Sequence, residues 1–147
     1  RGFVADNSLD IVTMWDVLEH CKDPNEVLCA VHRALVPGGI IFVQVPNVMS
    51  LAPRIMRQAC NMFTGFGHIN LFGPDTLKRM LVKNLFKEIK VQSVISEISV
   101  INNYLNYYDP YQGPSLEKDN ILGSLDIETI HKNLWGYKLQ VVGRKEN

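Results

Sequence analysis

The sequence has no excess of charge of either sign. Its 147 residues include 15 Lys plus Arg and 15 Asp plus Glu, so the formal net charge is zero. Proteins that bind a nucleic-acid backbone carry a basic excess, and disordered chains are poor in apolar residues. With 46% apolar and 20% charged residues, the composition predicts a globular protein with no nucleic-acid partner.

Cysteines and long hydrophobic runs are also scarce. Cys21, Cys29 and Cys60 are odd in number and show no C-x-x-C spacing, which argues against a disulfide framework and a zinc knuckle and predicts free thiols. No apolar run reaches the roughly 18 to 20 residues of a membrane span, and the first residues form no secretory signal. We therefore expect a cytoplasmic protein without a membrane span, with one domain over residues 1–147.

A strand, a helix and a second strand follow one another near the N-terminus. Residues 9–15 are mostly apolar and β-branched, as in parallel strands covered by helices. Asp23 and Pro24 form a strong helix start, and the Pro37-Gly38-Gly39 segment is expected to end that helix. Residues 40–45 read as the second buried strand, so the segment predicts a parallel βαβ unit.

The rest of the chain contains less regular patterns. Residues 49–63 form an amphipathic segment, and a glycine-rich loop follows at 64–68. Another helix is expected to start at Gly73 and to end at Asn84 in the left-handed conformation. The remaining predicted elements are a half-buried strand at 89–95, a weaker helix at 124–134 and a last strand at 139–143.

Several short motifs in this order resemble the second half of class I S-adenosylmethionine-dependent methyltransferases. They are Leu18-Glu19-His20, Asp23-Pro24, Arg33-Ala34-Leu35-Val36-Pro37-Gly38-Gly39, Pro46-Asn47, His68-Ile69-Asn70-Leu71-Phe72, Thr76-Leu77 and Gly143-Arg144-Lys145. The branch that the chain resembles most is that of the ubiquinone-biosynthesis-type O-methyltransferases. Each motif is weak alone, and their order and spacing carry the resemblance.

The resemblance implies an α/β, Rossmann-like fold with helices on both faces of the sheet. The chain would supply strands four to seven of a seven-stranded sheet, with the strands near 87–95 and 138–144 antiparallel to each other. The glycine-rich cofactor loop and the acidic residue of the family's first half are absent. We therefore expect a C-terminal part of the domain that is inactive alone and binds S-adenosylmethionine weakly or not at all. Leu85 stands where the family usually has glycine.

The resemblance also assigns candidate site residues, since ligands of open α/β sheets bind beyond the carboxyl ends of the strands. The predicted cofactor contacts are Trp15, Asp16, Val17 and Leu18. The predicted catalytic residues are His68 and His20, because a histidine can remove the proton of a hydroxyl or amine acceptor. The predicted substrate contacts are Asn47, His68 and Tyr104, and no metal ligand is recognised.

Each assignment has a structural alternative. Trp15 could equally pack in the core beneath the crossover helix, and Glu19 and His20 could simply hydrogen-bond the turn and the helix start. His68 could pack the loop. The tyrosines could line an acceptor pocket or belong to the core; they are Tyr104, Tyr107, Tyr108 and Tyr111.

The function that the resemblance implies is methyl transfer from S-adenosylmethionine to a small-molecule acceptor. The alternative is a methyltransferase-like module without catalysis that serves interaction or regulation. The strand at 9–15 is expected to leave an open hydrogen-bonding edge, so the chain is also expected to self-associate.

Overall fold

A four-stranded sheet organises the protein. A computed structural model describes residues 4–63, 65, 67–106, 122–123 and 125–146. The strands are β1 (Leu9–Trp15), β2 (Leu35–Pro46), β3 (Phe86–Val94) and β4 (Lys138–Lys145), in the order β1-β2-β4-β3. β1 and β2 are parallel, and β4 runs antiparallel to both of its neighbours. The predicted parallel unit and the predicted antiparallel pair are both confirmed.

Five α-helices connect the strands in the described part of the chain. They are α1 (Pro24–Ala34), α2 (Leu51–Met56), α3 (Pro74–Lys83), α4 (Ile98–Asn106) and α5 (Ile127–Lys132). The Asp23 carboxylate accepts hydrogen bonds from the backbone N–H groups of Asn25 and Glu26, so the predicted start of α1 is confirmed. None of the described helices is long and apolar enough to cross a membrane.

Three helix ends differ from the prediction. α1 ends at Ala34, and the Pro37-Gly38-Gly39 segment belongs to β2, because a proline favours an extended conformation in the residue before it. The segment at 49–63 forms only one α-helical stretch and two short 3₁₀ turns, since Arg57 adopts a φ of 51°. At the end of α3, Asn84 has a φ of −94° and Leu85 takes the left-handed conformation instead.

The main hydrophobic core lies on one face of the sheet. Leu28 of α1 and Leu77 and Leu81 of α3 pack there against the inward side chains of the strands. Most side chains of the opposite face are exposed or half-buried; among these are Thr13, Trp15, Phe42, Gln44, Gln140 and Val142. The two longest connecting helices in the described part of the chain, α1 and α3, both lie on the core face. A second cluster forms where α2 and α4 meet.

The three cysteines are free thiols, as predicted.

On the open face, a row of side-chain amides crosses the sheet. The Gln92 amide donates to Gln140, and the Gln140 amide donates to Gln44, at 2.8 and 2.9 Å. This row links β3, β4 and β2 through their side chains as well as through their backbones.

Candidate functional site

The candidate site lies at the carboxyl ends of β1 and β2. Asp16 follows β1 with a φ of 54°, and its backbone N–H donates to the carbonyl of Gln44. β4 begins at the same edge, where Lys138 pairs with Pro46. The Lys138 ammonium lies 2.9 Å from the Asp16 carboxylate and is only 16% exposed. An ion pair thus joins the end of β1 to the start of β4.

A short turn and a distant loop meet next to this ion pair. The turn is the 3₁₀ helix Leu18–His20, and the loop is Gly67–Asn70. The carbonyl of Glu19 accepts the backbone N–H groups of Ile69 and Asn70 at 2.9 and 3.0 Å. The Asn70 side-chain amide donates to the carbonyls of Leu18 and Cys21. Asn70 therefore fixes the loop against the turn.

This attachment brings His20 and His68 together, with 5.1 Å between their ring centroids. The Nδ1 atom of His20 lies 2.7 Å from the carbonyl oxygen of Gly67. The Nδ1 atom of His68 lies 3.4 Å from the carbonyl oxygen of Met62. A carbonyl only accepts hydrogen bonds, so each Nδ1 carries the hydrogen when the ring is neutral, and each Nε2 keeps a free lone pair.

The carboxylate of Glu19 is buried beside the two imidazoles. Glu19 is 1% exposed, and neither of its side-chain oxygens has a hydrogen-bond partner among the described residues. Its Oε1 atom lies 3.9 Å from Nε2 of His20. Burial raises the pKa of the Glu19 carboxyl above its usual range, and the Asp16 carboxylate raises it further. The turn therefore holds an acidic group without the hydrogen bonds that a buried acid usually has.

A family model described as a methyltransferase domain matches residues 3–89, which is more than half of the chain. The chain belongs to the methyltransferase domain family. This match confirms the resemblance that the motifs predicted.

Known proteins similar to this methyltransferase domain include one curated relative. The ubiquinone biosynthesis O-methyltransferase of Pseudomonas syringae pv. tomato is 45% identical over 38 residues, which are 26% of this chain and 16% of that protein. The match is short.

Solved structures resemble the domain over almost its whole length. An S-adenosylmethionine-dependent methyltransferase from Thermotoga maritima aligns with a TM-score of 0.65 and 17% identity, over 99% of this chain and 60% of that one. Phosphoethanolamine N-methyltransferase 2 from Haemonchus contortus, in complex with S-adenosylmethionine, aligns with a TM-score of 0.60 and 15% identity, over 98% and 35%. At these identities the likeness establishes the Rossmann-like α/β fold. The chain spans less than two thirds of the length of both structures.

The predicted cofactor contacts of the methyltransferase domain have different surroundings. Trp15 is 57% exposed, with its ring 4.6 Å from that of Phe42 on the open face, so the alternative of a core residue is wrong. Asp16 and Val17 are also accessible. Leu18 is fully buried in the main core, which leaves no side-chain surface for a cofactor. The cofactor contacts of Trp15, Asp16 and Val17 stay predictions.

Of the predicted substrate contacts, Asn47 is buried and Tyr104 is partly buried. The side chain of Asn47 is buried, and it donates to the carbonyls of Leu134 and Gly136 at 2.8 and 2.9 Å. Its Oδ1 atom accepts the N–H of Met49. These bonds give Asn47 a structural role, so its predicted contact with an acceptor has no support in the geometry. Tyr104 packs against the second cluster, and the other predicted tyrosines, Tyr107, Tyr108 and Tyr111, lie outside the described residues.

Three residues of this site were not among the predicted ones. Glu19 was weighed equally as a catalytic residue and as one that hydrogen-bonds the turn, yet its side chain makes no hydrogen bond to the described part of the turn. Asn70 positions the loop through its amide, and Lys138 pairs with Asp16 across 122 positions of sequence. The sequence signal for Glu19 was its place in the Leu18-Glu19-His20 motif. No sequence signal indicated Lys138, because only the order of the strands in the sheet brings β4 to this edge.

Proposed function

We propose that this domain belongs to an S-adenosylmethionine-dependent methyltransferase that acts on a small-molecule acceptor. The observation that carries the proposal is the family match over residues 3–89, which contains the joined turn and loop at the carboxyl ends of the parallel strands. Ligands of open α/β sheets bind at that edge. The three free thiols fit a reducing compartment, so we also propose a cytoplasmic location.

The accessible residues at the end of β1 fit the cofactor side of such a site. Trp15 offers an exposed indole and Val17 an exposed apolar side chain, on either side of the charged Asp16. S-adenosylmethionine has an apolar adenine and a charged amino-acid end, and when bound it supplies an electrophilic methyl group. Trp15 and Val17 would hold the apolar part, while the Asp16 and Lys138 pair would orient the charged part.

The joined turn and loop fit the acceptor side. In-line displacement at a methyl group requires an acceptor atom that is held in position and has lost its proton. His20 and His68 come from segments that are 48 positions apart in sequence, and backbone carbonyls fix both rings. The proposed role of the pair is to hold the hydroxyl or amine of the acceptor, with a free Nε2 atom accepting its proton as the methyl group is transferred.

The test measures transfer of a labelled methyl group from S-adenosylmethionine by the protein that contains this chain. His68→Ala is expected to lower kcat about 10² to 10⁴-fold, the usual range for such groups, while cofactor affinity stays nearly unchanged. His32→Gln is the matched control, because His32 lies on α1 against Phe86 and away from the site. It is expected to keep wild-type kcat.

Other outcomes would change the assignment. If His68→Ala lowers the melting temperature and leaves turnover per folded molecule intact, His68 only packs the loop. If the wild-type protein folds, binds no S-adenosylmethionine and transfers no methyl group, the alternative of a non-catalytic interaction module replaces the proposal.

A further inference from the structure

We propose that a row of side chains on the open face of the sheet binds a short, uncharged saccharide as the methyl acceptor. The row contains one residue from each strand, at positions that pair directly across the sheet: Trp15, Gln44, Gln140 and Gln92. It crosses three gaps between strands, which is about 14 Å at the usual strand spacing. A row of this length has room for more than one sugar ring.

The row borders the candidate site. The backbone carbonyl of Gln44 accepts the N–H of Asp16. Lys138, the ion-pair partner of Asp16, lies on the same face of β4 as Gln140 and two residues before it. Side chains at such positions are about 6.6 Å apart along a strand. A ligand on the row therefore lies beside the edge of the sheet that carries the turn and the loop.

The three amides keep hydrogen-bonding groups of both kinds. Each of the two bonds within the row uses one N–H and one oxygen lone pair, whereas an amide has two of each. In the described part of the chain, nothing accepts from the Gln44 nitrogen and nothing donates to the Gln92 oxygen. A hydroxyl both donates and accepts a hydrogen bond. The successive hydroxyls of a sugar ring are therefore complementary to a row of amides.

The chemistry of the row selects a neutral and polar ligand. Its side chains are an indole and three amides, none of which is ionisable. Lys138 at the border is paired with Asp16 at 2.9 Å, so a charged acceptor finds no free opposite charge there. An apolar protein segment placed on the row would leave the remaining amide groups buried without partners, which is unfavourable. Hydroxyls satisfy these groups instead.

Trp15 ends the row at β1. Its ring is 57% exposed and rests against that of Phe42, with 4.6 Å between centroids. An aromatic ring beside a few amides suits a sugar, which presents apolar C–H groups as well as hydroxyls. Methyl transfer requires that the donor and the acceptor touch, so a residue between them contacts both. Trp15, proposed above as a cofactor contact, occupies this border.

The inference rests on the proposed function and makes its acceptor more specific: the methylated atom is a hydroxyl oxygen of the saccharide. That oxygen bonds to the methyl carbon of the sulfonium while the carbon–sulfur bond breaks and sulfur keeps the electron pair. The hydroxyl proton passes to a free Nε2 atom of the histidine pair and then to water. The products are a saccharide methyl ether and S-adenosylhomocysteine.

The test titrates the protein that contains this chain with maltose, cellobiose, lactose and N,N′-diacetylchitobiose, without S-adenosylmethionine, and follows the ligand signals by NMR. We expect at least one disaccharide to bind, and tetraethylene glycol, a neutral chain with few hydroxyls, not to bind. Gln44→Leu and Gln140→Leu should each weaken binding at least about 10-fold, because each removes hydrogen bonds to the ligand. Gln58→Leu makes the same change at an exposed position outside the sheet and should bind as wild type does.

Methyl transfer provides a second measurement. With labelled S-adenosylmethionine, Gln44→Leu should raise the KM for the bound disaccharide at least about 10-fold and lower kcat much less than His68→Ala does. This difference is expected because Gln44 holds the acceptor away from the reacting atoms.

Three results would overturn the saccharide site. They are no binding of any of the four disaccharides by the folded wild-type protein, equal binding of tetraethylene glycol, and unchanged affinity in both row variants. If Gln44→Leu and Gln140→Leu do not fold, Gln92→Leu decides, because Gln92 is exposed. A protein that binds a disaccharide through the row and transfers no methyl group would keep the site and refute the proposed function, so the two failures are distinguishable.

Discussion

Leu85 ends α3 in a conformation that L-amino acids avoid. Its φ is 65°, and its side chain is 65% exposed, so no packing in the described structure compensates for the strain. A left-handed conformation costs a residue with a Cβ atom about 1 to 2 kcal/mol, and glycine avoids most of this cost. The resemblance to class I methyltransferases predicts a glycine at this position.

We expect Leu85→Gly to raise the free energy of unfolding by about 0.5 to 1 kcal/mol, after the greater entropy of unfolded glycine is subtracted. Urea denaturation measures the change. Lys78→Gly, at an exposed interior position of α3, is the control and should lower stability by about 1 kcal/mol. A loss of stability in Leu85→Gly would mean that the leucine side chain contributes packing that outweighs the strain.

A substitution of Asn47 tests whether this residue, which follows β2, stabilises the fold or binds the substrate. Asn47→Ala would leave one buried carbonyl, one partly buried carbonyl and one N–H without their partner, at an expected cost of about 2 to 4 kcal/mol. Asn133→Ala removes one exposed bond to the carbonyl of Thr129 and should cost much less. Thermal unfolding compares the two variants. Near-wild-type stability of Asn47→Ala together with a raised KM for the acceptor would restore the substrate role.

At the residue scale, the sequence identified the chemistry but not the contacts. His20 and His68 could be chosen because histidine suits proton transfer, and the structure brings them together. The burial of Leu18 and Asn47 could not be read from motif order, because a motif does not show which side chains face the core. Glu19 was undervalued for the same reason.

α1 and β3 meet at an aromatic contact that responds to pH. The His32 ring meets the Phe86 ring edge-on, with 5.3 Å between centroids. Burial lowers the pKa of His32 below its usual value of 6.5, and the Lys145 ammonium lowers it further. The unfolded chain therefore binds a proton at a higher pH than the folded chain does.

The neutral form of His32 therefore contributes to the stability of the folded chain. The contribution is complete above pH 6.5 and is lost as the pH falls through the pKa of folded His32. We expect the wild-type chain to lose more stability than His32→Gln between pH 7.5 and the acid side of that pKa. Denaturant unfolding at several pH values measures the difference between the two proteins. Parallel curves for the two would show that His32 titrates alike in the folded and unfolded states.

At the element scale, the spacing of apolar residues predicted which helices and strands exist better than where each begins and ends. The apolar runs of β1 and β2 and the Asp23 cap of α1 were sufficient for the βαβ unit. The Pro37-Gly38-Gly39 segment marks the end of a helix, but it does not show whether the next strand begins before or after it. The amphipathic stripe at 49–63 did not predict the interruption at Arg57, since a positive φ at arginine has no sequence signal.

At the scale of the whole molecule, β1 forms an open edge of the sheet. Among the described strands β1 pairs only with β2, and no described strand pairs with its other side. Ile11 and Trp15 are 58% and 57% exposed on the open face beside that edge. Unpaired backbone groups together with exposed apolar side chains favour pairing with another chain.

We expect the chain to self-associate as its concentration rises, and Ile11→Lys to reduce this association because a charge would be buried between the copies. Sedimentation velocity at several concentrations measures it. Val82→Lys, which changes an equally accessible residue on α3, is the control and should associate like wild type. A wild-type chain that stays monomeric at all concentrations would contradict the expectation.

The position of β4 has a consequence for folding during synthesis on the ribosome. β4 is synthesised after the other three described strands, yet it lies between β2 and β3. Until it emerges, β3 has no neighbour among the described strands, and the nascent sheet has a gap there. Lys138 reaches Asp16 only when that gap closes. The ion pair of Asp16 and Lys138 therefore forms only after β4 has been synthesised, and chaperones that act on the nascent chain before then would meet a sheet whose centre is unfilled.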